Sequence, residues 1–337
     1  MGYKYITFDK DMTAIIKGVA IVFMIFLHCF GWESWYLPEY HIHLSHSSFL
    51  YKIMTAMQIC VGMYVFMIGY GYAFAKNKNI EYSFKHTSRL LKIFWSVLFL
   101  FVIPVSFKYT ASKNAGWFFL NLFGIVEDLS WVSWFVALYI WSMILMPFLG
   151  RVLDRWRWIG MVVACIACYA GMTLIHQSVP DFNSRDWWHI IFVCLGWTPL
   201  IMFGYLTVKL KLVEKIKIPE NGITLSGAII LIPVILILKS KYQSLMILNF
   251  DLIYAPVMIL CVLTIFTLIR NRVIKRIFIE LGNMSVYMWF IHSIFFTICS
   301  SRIYQPLIMI SDNLWVVSIW TILLSYLISI PLKRIIG

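Results

Sequence analysis

Charged residues are scarce in this chain. Only 13% of its 337 residues are Asp, Glu, Lys or Arg, whereas 61% are hydrophobic. Soluble domains contain about 25% charged residues, so this composition excludes an ordinary soluble protein. The chain also lacks internal repeats, low-complexity tracts and any stretch long and polar enough to form a separate soluble domain. We therefore expect a single integral membrane unit over residues 1–337.

The spacing of cysteine and histidine residues also indicates neither a disulfide framework nor a metal site. The seven cysteines lie in or at the ends of apolar segments, and Cys165-x-x-Cys168 has no second pair to complete a metal or redox set. His41, His43 and His46 crowd one loop, but no matching carboxylate or cysteine set accompanies them. We expect no metal.

The sequence does contain many long apolar segments. A helix needs about 20 predominantly apolar residues to cross a bilayer. Ten candidate segments cover approximately 13–31, 53–75, 91–110, 132–149, 158–176, 188–208, 223–238, 252–269, 282–300 and 313–332. The predicted fold class is therefore all-α, a polytopic membrane protein of about ten transmembrane helices.

The distribution of Lys and Arg predicts the orientation. These residues concentrate on the cytoplasmic side of membrane proteins. With the N-terminus inside, the inner segments hold 20 of the 28 Lys and Arg residues, the outer segments hold 7, and Lys17 is the last. Both termini are therefore predicted to be cytoplasmic. The net charge of +13 is spread over loops and tails without a basic stripe, so membrane lipids rather than nucleic acid are the expected partners.

The first apolar segment contains two ionisable residues, Lys17 and His28. Eleven residues correspond to about three helical turns plus 20°, so both lie on one helix face, roughly 16 Å apart. Ionisable groups at such depth are costly and usually functional. His28 is a candidate base near neutral pH, although a structural hydrogen bond to a neighbouring helix is the alternative. Lys17 is a candidate phosphate ligand, although its ammonium group also suits lipid headgroups.

Other polar residues extend this set. Arg89 and Lys92 have helical spacing and form a candidate phosphate clamp, or a cationic flank of the third segment. His292 lies in the ninth segment and either faces the bundle interior as a second imidazole or serves packing. Glu33 follows His28 at the outer end of the first helix and either orients that imidazole or is solvated.

Together these segments resemble the acyltransferase-3 family of integral membrane acyltransferases. Four markers occur in the family's order: Lys17-x10-His28, Arg89-x-x-Lys92, the run Ser-Trp-Phe-Val-Ala-Leu at 133–138, and the run from Leu-Gly to His at 281–292. The chain departs from the family pattern at Ile68, where a serine is usual, and at Ala14, where many members have aspartate. Lysine also stands at 17 and 92 where arginine is common, which keeps the charge but loses the bidentate fork.

The resemblance implies a function and a set of roles. It implies an O-acetyltransferase in the bacterial cytoplasmic (inner) membrane, a stand-alone form without a fused extracytoplasmic domain. The acetyl group would pass from cytoplasmic acetyl-CoA to a hydroxyl of a surface polysaccharide such as capsule, exopolysaccharide or O-antigen. Further expected partners are a lipid-linked glycan precursor and other envelope-synthesis proteins. The implied roles are a general base at His28, CoA-phosphate ligands at Lys17, Arg89 and Lys92, and a substrate path lined by Glu33, Trp134 and His292.

Two other functions stay open from the sequence. A transporter or flippase for an envelope precursor would also use many spans and buried cations, although the chain lacks the inverted repeats that transporters often show. A non-catalytic subunit of an envelope-synthesis complex is the second alternative, and in it Lys17 and His28 would be replaceable.

Overall fold

The structure, a computed structural model, describes residues 2–31, 33–42, 44–184, 186–245 and 248–336. Within these ranges most of the chain is helical. The α-helices are α1 (Lys10–Gly31), α2 (Phe49–Ala56), α3 (Ile59–Ala73), α4 (Ile80–Val97), α5 (Phe107–Thr110), α6 (Ala115–Leu122), α7 (Trp134–Ser178), α8 (Asp186–Lys209), α9 (Gly222–Lys241), α10 (Asp251–Leu268), α11 (Arg272–Ser293), α12 (Ile298–Tyr304) and α13 (Leu314–Ile336). Two short antiparallel pairs join β1 (Tyr3–Tyr5) to β2 (Lys217–Pro219) and β3 (Ser244–Leu245) to β4 (Leu248–Asn249).

Asparagine side chains begin several of these helices. The side chains of Asn79 and Asn221 accept hydrogen bonds from the backbone N–H groups of Tyr82 and Thr224, at 3.0 and 2.8 Å. Such caps satisfy N–H groups that have no partner within the first helical turn. Helix α9 therefore starts where the sequence becomes apolar, whereas α4 starts eleven residues before its apolar segment begins at 91.

Seven helical stretches of the described chain are long and apolar enough to cross a membrane, and an eighth is added if α11 and α12, bent by 95°, count as one span. All ten predicted segments fall on helices. The all-α membrane class is therefore confirmed, while the count of ten spans and the side on which the termini lie stay predictions.

Helix α7 accounts for part of the difference between seven and ten. Its 45 residues extend about 68 Å at 1.5 Å per residue, more than twice the roughly 30 Å of a bilayer core. Arg157 interrupts it with φ 48° and ψ −120°, which are not helical angles. Two arms therefore meet at Arg157, and they coincide with the predicted segments 132–149 and 158–176.

The predicted inner segments meet at one end of the bundle, which we name the basic end, where α1 begins and α13 ends. Strand β1 pairs with β2 there. Lys78 Nζ donates a 2.9 Å hydrogen bond to the Tyr205 hydroxyl, which donates in turn to Asp154 at 2.8 Å. Arg270 and Glu220 form an ion pair of 3.2 Å. The alternation of charge along the sequence thus corresponds to a spatial separation in the fold.

Helices α1 and α11 cross at two glycines in close backbone contact. A Cβ at Gly18 would collide with the carbonyl oxygen of Phe278, and a Cβ at Gly282 with that of Ala14. Small residues permit such an approach between membrane helices. Both helices run from the basic end, and a histidine follows each glycine after ten residues. At 1.5 Å per residue both histidines lie about 15 Å beyond the crossing, at one height.

One buried ion pair stands out among the described residues. Lys239 of α9 and Asp251 of α10 are each 2% exposed, and Nζ lies 2.5 Å from Oδ1. Both residues lie at the opposite end of the bundle from the basic end, where α9 ends and α10 begins. The pair links these two helices inside the protein.

Candidate functional site

His28 and His292 form a buried pair at the height set by the glycine crossing. His28 Nδ1 and His292 Nε2 are 2.8 Å apart, and the rings stack at 5.0 Å between centroids with 14° between planes. His28 is 3% exposed and His292 is fully buried. The structure therefore brings together two histidines that are 264 residues apart in the sequence.

The hydrogen bonds determine which nitrogen of each neutral ring carries a proton. His292 Nδ1 lies 3.0 Å from the Met288 carbonyl oxygen, which can only accept, so His292 Nδ1 is the donor. His292 Nε2 then has the lone pair and accepts from His28 Nδ1–H. The remaining lone pair lies on His28 Nε2, and His28 Nε2 is the basic nitrogen of the pair.

Two tryptophans cover His28 on the side away from the basic end. The Trp131 ring meets His28 edge-on at 4.2 Å, Trp35 lies 5.4 Å from His28, and the two indoles are 4.5 Å apart. The buried Gln305 side chain donates to the Trp35 carbonyl oxygen at 2.7 Å and accepts from Leu37 N–H at 2.6 Å. Gln305 thereby holds the segment that bears Trp35 over the histidine.

A cavity of about 390 Å³ opens at the basic end and extends toward the histidine pair. Three cations line it, namely Lys17, Arg89 and Lys333. Trp289 of α11 also lines the cavity. It follows Gly282 by seven residues, so it lies about 10 Å deeper than the glycine crossing, which is the height of Lys17. The cavity is thus positively charged near its opening and aromatic at its inner end.

Residues 14–334, nearly the whole chain, match the family model described as the acyltransferase domain of the acyltransferase-3 family. The chain belongs to the acyltransferase-3 family. Comparison with curated proteins and with solved structures gave no match. The resemblance seen in the sequence is therefore confirmed, and the chain is a membrane acyltransferase.

The acyltransferase places its sequence-predicted residues unequally around the cavity. Lys17 and Arg89 line it, whereas Lys92 does not, although Arg89 and Lys92 are both exposed residues of α4. Trp134 is half-buried and contacts Phe135, which is a lining residue, but Trp134 does not line the cavity itself. The side chain of Glu33 lies outside the described residues, as does the whole of His43.

Among the basic residues that line the cavity of the acyltransferase, two were not found from the sequence. Lys333 follows the last apolar segment, 313–332, where a cation by itself indicates only a cytoplasmic flank. His86 has no motif around it. Burial, together with the neighbouring Arg89 and Lys85, lowers the pKa of His86, so this imidazole is neutral at neutral pH. Helical spacing relates His86 to Arg89, one turn away, and this was the available signal.

Two buried donors of the acyltransferase lining have no hydrogen-bond partner among the described residues. They are the Trp289 indole Nε1, in a residue that is 4% exposed, and the Tyr72 hydroxyl, in a residue that is 1% exposed. Most buried polar groups in native proteins are paired, so each exception requires an explanation. Acceptor atoms of a ligand in the cavity would supply these partners. No group of three or more His, Cys, Asp or Glu suited to a metal occurs in the described part of the chain.

Proposed function

We propose that this acyltransferase is an O-acetyltransferase of the bacterial cytoplasmic membrane. It transfers an acetyl group from acetyl-CoA to a hydroxyl of a cell-surface polysaccharide or of its lipid-linked precursor. The observation that carries the proposal is the buried His28–His292 pair, which lies about one helical turn beyond Trp289, a residue that lines a cavity with cations nearer its opening. The full architecture that we propose has ten spans with both termini in the cytoplasm.

The cavity suits the donor in its charge and in its apolar inner part. Lys17, Arg89 and Lys333 suit the phosphates of a CoA thioester, because charge-assisted hydrogen bonds to phosphate are strong. The apolar and aromatic inner part suits the thioester arm and excludes water from it. The excess of Lys and Arg in the segments at this end supports a cytoplasmic opening, where acyl-CoA is made.

The acceptor would approach from the opposite end, past Trp35 and Trp131. Aromatic rings of this kind can stack on sugar rings. His28 Nε2 then takes the proton of the acceptor hydroxyl, and the oxygen of that hydroxyl attacks the thioester carbon. The departing thiolate receives that proton from His28. His292 acts as a positioning residue, because its Nε2 fixes the tautomer and the ring orientation of His28.

The proposal is tested by following the acetyl group. In a deletion strain, the wild-type chain is expected to restore acetyl signals to the surface glycan in NMR spectra. In reconstituted vesicles, acetyl-CoA labelled in its acetyl group should lose label to added glycan and release free CoA. Movement of a glycan precursor without consumption of acetyl-CoA would instead identify a transporter. Donor consumption with an unchanged glycan would retain the enzyme and reject the acceptor.

The donor cavity makes a further prediction that separates two neighbouring cations. Arg89→Gln should raise the KM for acetyl-CoA about tenfold or more with little change in kcat, because a charge-assisted hydrogen bond contributes roughly 1.5–3 kcal/mol. Lys92→Gln is the matched control, since Lys92 lies three residues away but outside the lining. Steady-state kinetics in vesicles measure both. Equal increases in KM would contradict the placement of the phosphates beside Arg89.

A further inference from the structure

Trp289 holds an indole N–H group that the proposed reaction has not yet used. Its side chain is 4% exposed, Nε1 has no partner among the described residues, and the residue lines the cavity. An indole N–H can only donate. A hydrogen-bond partner of the Trp289 N–H group must therefore be an acceptor atom.

The packing around Trp289 holds the indole in place. Tyr64 meets it edge-on at 4.6 Å, and Phe135 lies against it at 4.4 Å. The Tyr64 hydroxyl is itself engaged, because it donates to the Lys17 carbonyl oxygen at 3.1 Å. A ring held in this way is a preorganised donor, and it needs no reorganisation when charge develops on an acceptor.

The position of Trp289 relates this donor to the reacting atoms. Trp289 precedes His292 by three residues, so it lies about 4.5 Å closer to the basic end, near one helical turn away. A thioester arm that enters from the basic end reaches Trp289 just before the height of the histidine pair. Its carbonyl group is the acceptor that arrives there.

We propose that the Trp289 indole N–H donates a hydrogen bond to the carbonyl oxygen of the acyl thioester and stabilises the negative charge that forms on it. This inference rests on the proposed function. Attack by the acceptor oxygen forms a C–O bond and moves the π electron pair to the carbonyl oxygen. That pair returns as the C–S bond breaks, and the thiolate leaves. The proton passes from the hydroxyl to His28 Nε2 and then to sulfur, so Trp289 keeps its own proton.

Removal of the N–H group with retention of an aromatic ring tests the proposal. Trp289→Phe should lower kcat about 10²-fold, the usual loss for one oxyanion donor, and change the KM for acetyl-CoA by less than about threefold. The loss should be equal at every pH, because indole does not titrate, whereas a displaced His28 would shift the pH profile. Trp141→Phe is the matched control, since its Nε1 donates to Thr198 Oγ1 at 3.3 Å outside the cavity.

A second variant covers the case in which Trp289→Phe does not fold. Incorporation of 3-benzothienylalanine at position 289 keeps the shape of indole and replaces N–H with sulfur. Binding of acetyl-CoA is compared with binding of the S-ethyl thioether of CoA, which has no carbonyl. Wild type should prefer the thioester by no more than about threefold in binding, and the sulfur variant should remove this preference and lower kcat about 10²-fold.

The outcomes separate this inference from the function on which it rests. Unchanged kcat in either variant, or a loss confined to KM, overturns the role of Trp289 while wild-type transfer still supports the O-acetyltransferase. If correctly inserted wild-type protein transfers no acetyl group to the surface polysaccharide or to its lipid-linked precursor, the proposed function and this inference both fail.

Discussion

His28→Ala is expected to lose acetyl transfer by about 10²- to 10⁴-fold, the usual contribution of a general base. The Met288 carbonyl oxygen accepts from His292 Nδ1–H, and His292 Nε2 accepts from His28 Nδ1–H. His28 Nε2 is therefore the basic nitrogen of the pair. NMR of the surface glycan and the release of CoA in vesicles measure the loss.

Two variants make the His28 result specific. His176→Ala removes an exposed histidine near the end of α7 and should leave transfer unchanged. His292→Ala retains the His28 base but not its partner, so it should lose less activity than His28→Ala and change the pH profile. If His28→Ala restores glycan acetylation fully, the general-base role fails and the imidazole is structural.

Lys239→Met is expected to lower the free energy of unfolding by about 3–5 kcal/mol, because it leaves the Asp251 carboxylate buried without its ion-pair partner. The double variant Lys239→Met with Asp251→Leu should recover most of this loss. Replacement of a buried ion pair by apolar residues of similar volume is often neutral or stabilising. Titration with a denaturing detergent in mixed micelles measures all three proteins.

An exposed pair provides the comparison for Lys239. Arg270 is 90% exposed in its ion pair with Glu220, and such surface pairs contribute about 0–1 kcal/mol. Arg270→Gln should therefore unfold almost like wild type. A double variant at 239 and 251 that is as unstable as Lys239→Met would show that the charge is not the cause and that packing of the lysine stem is.

Much of the fold follows from local features of the sequence. Apolar length predicts segments that all fall on helices, and Lys17 and His28 share one helix face because eleven residues nearly complete three turns. The role of the second histidine does not follow in this way. His292 meets His28 through a crossing of α1 and α11, and helical periodicity within one segment does not specify which other helix it meets.

Charge shows a similar limit. Lys239 directly follows the apolar segment 223–238, a position that predicts an exposed cation, yet it is buried against Asp251. Lys92 shares helical spacing with Arg89, yet only Arg89 lines the cavity. In both cases the sequence predicts the charge and its approximate depth. The direction of the side chain depends on neighbouring helices distant in the sequence, and only the tertiary structure supplies it.

The crossing of α1 and α11 also determines which changes this protein can accept during evolution. Gly18 and Gly282 lie at this crossing, and each is followed by a histidine ten residues later. Substitutions within 19–27 or 283–291 leave that distance intact. One inserted residue would turn a histidine by about 100° and raise it by about 1.5 Å. The two intervals should therefore keep their lengths among descendants of this chain, even where residues other than Trp289 are substituted.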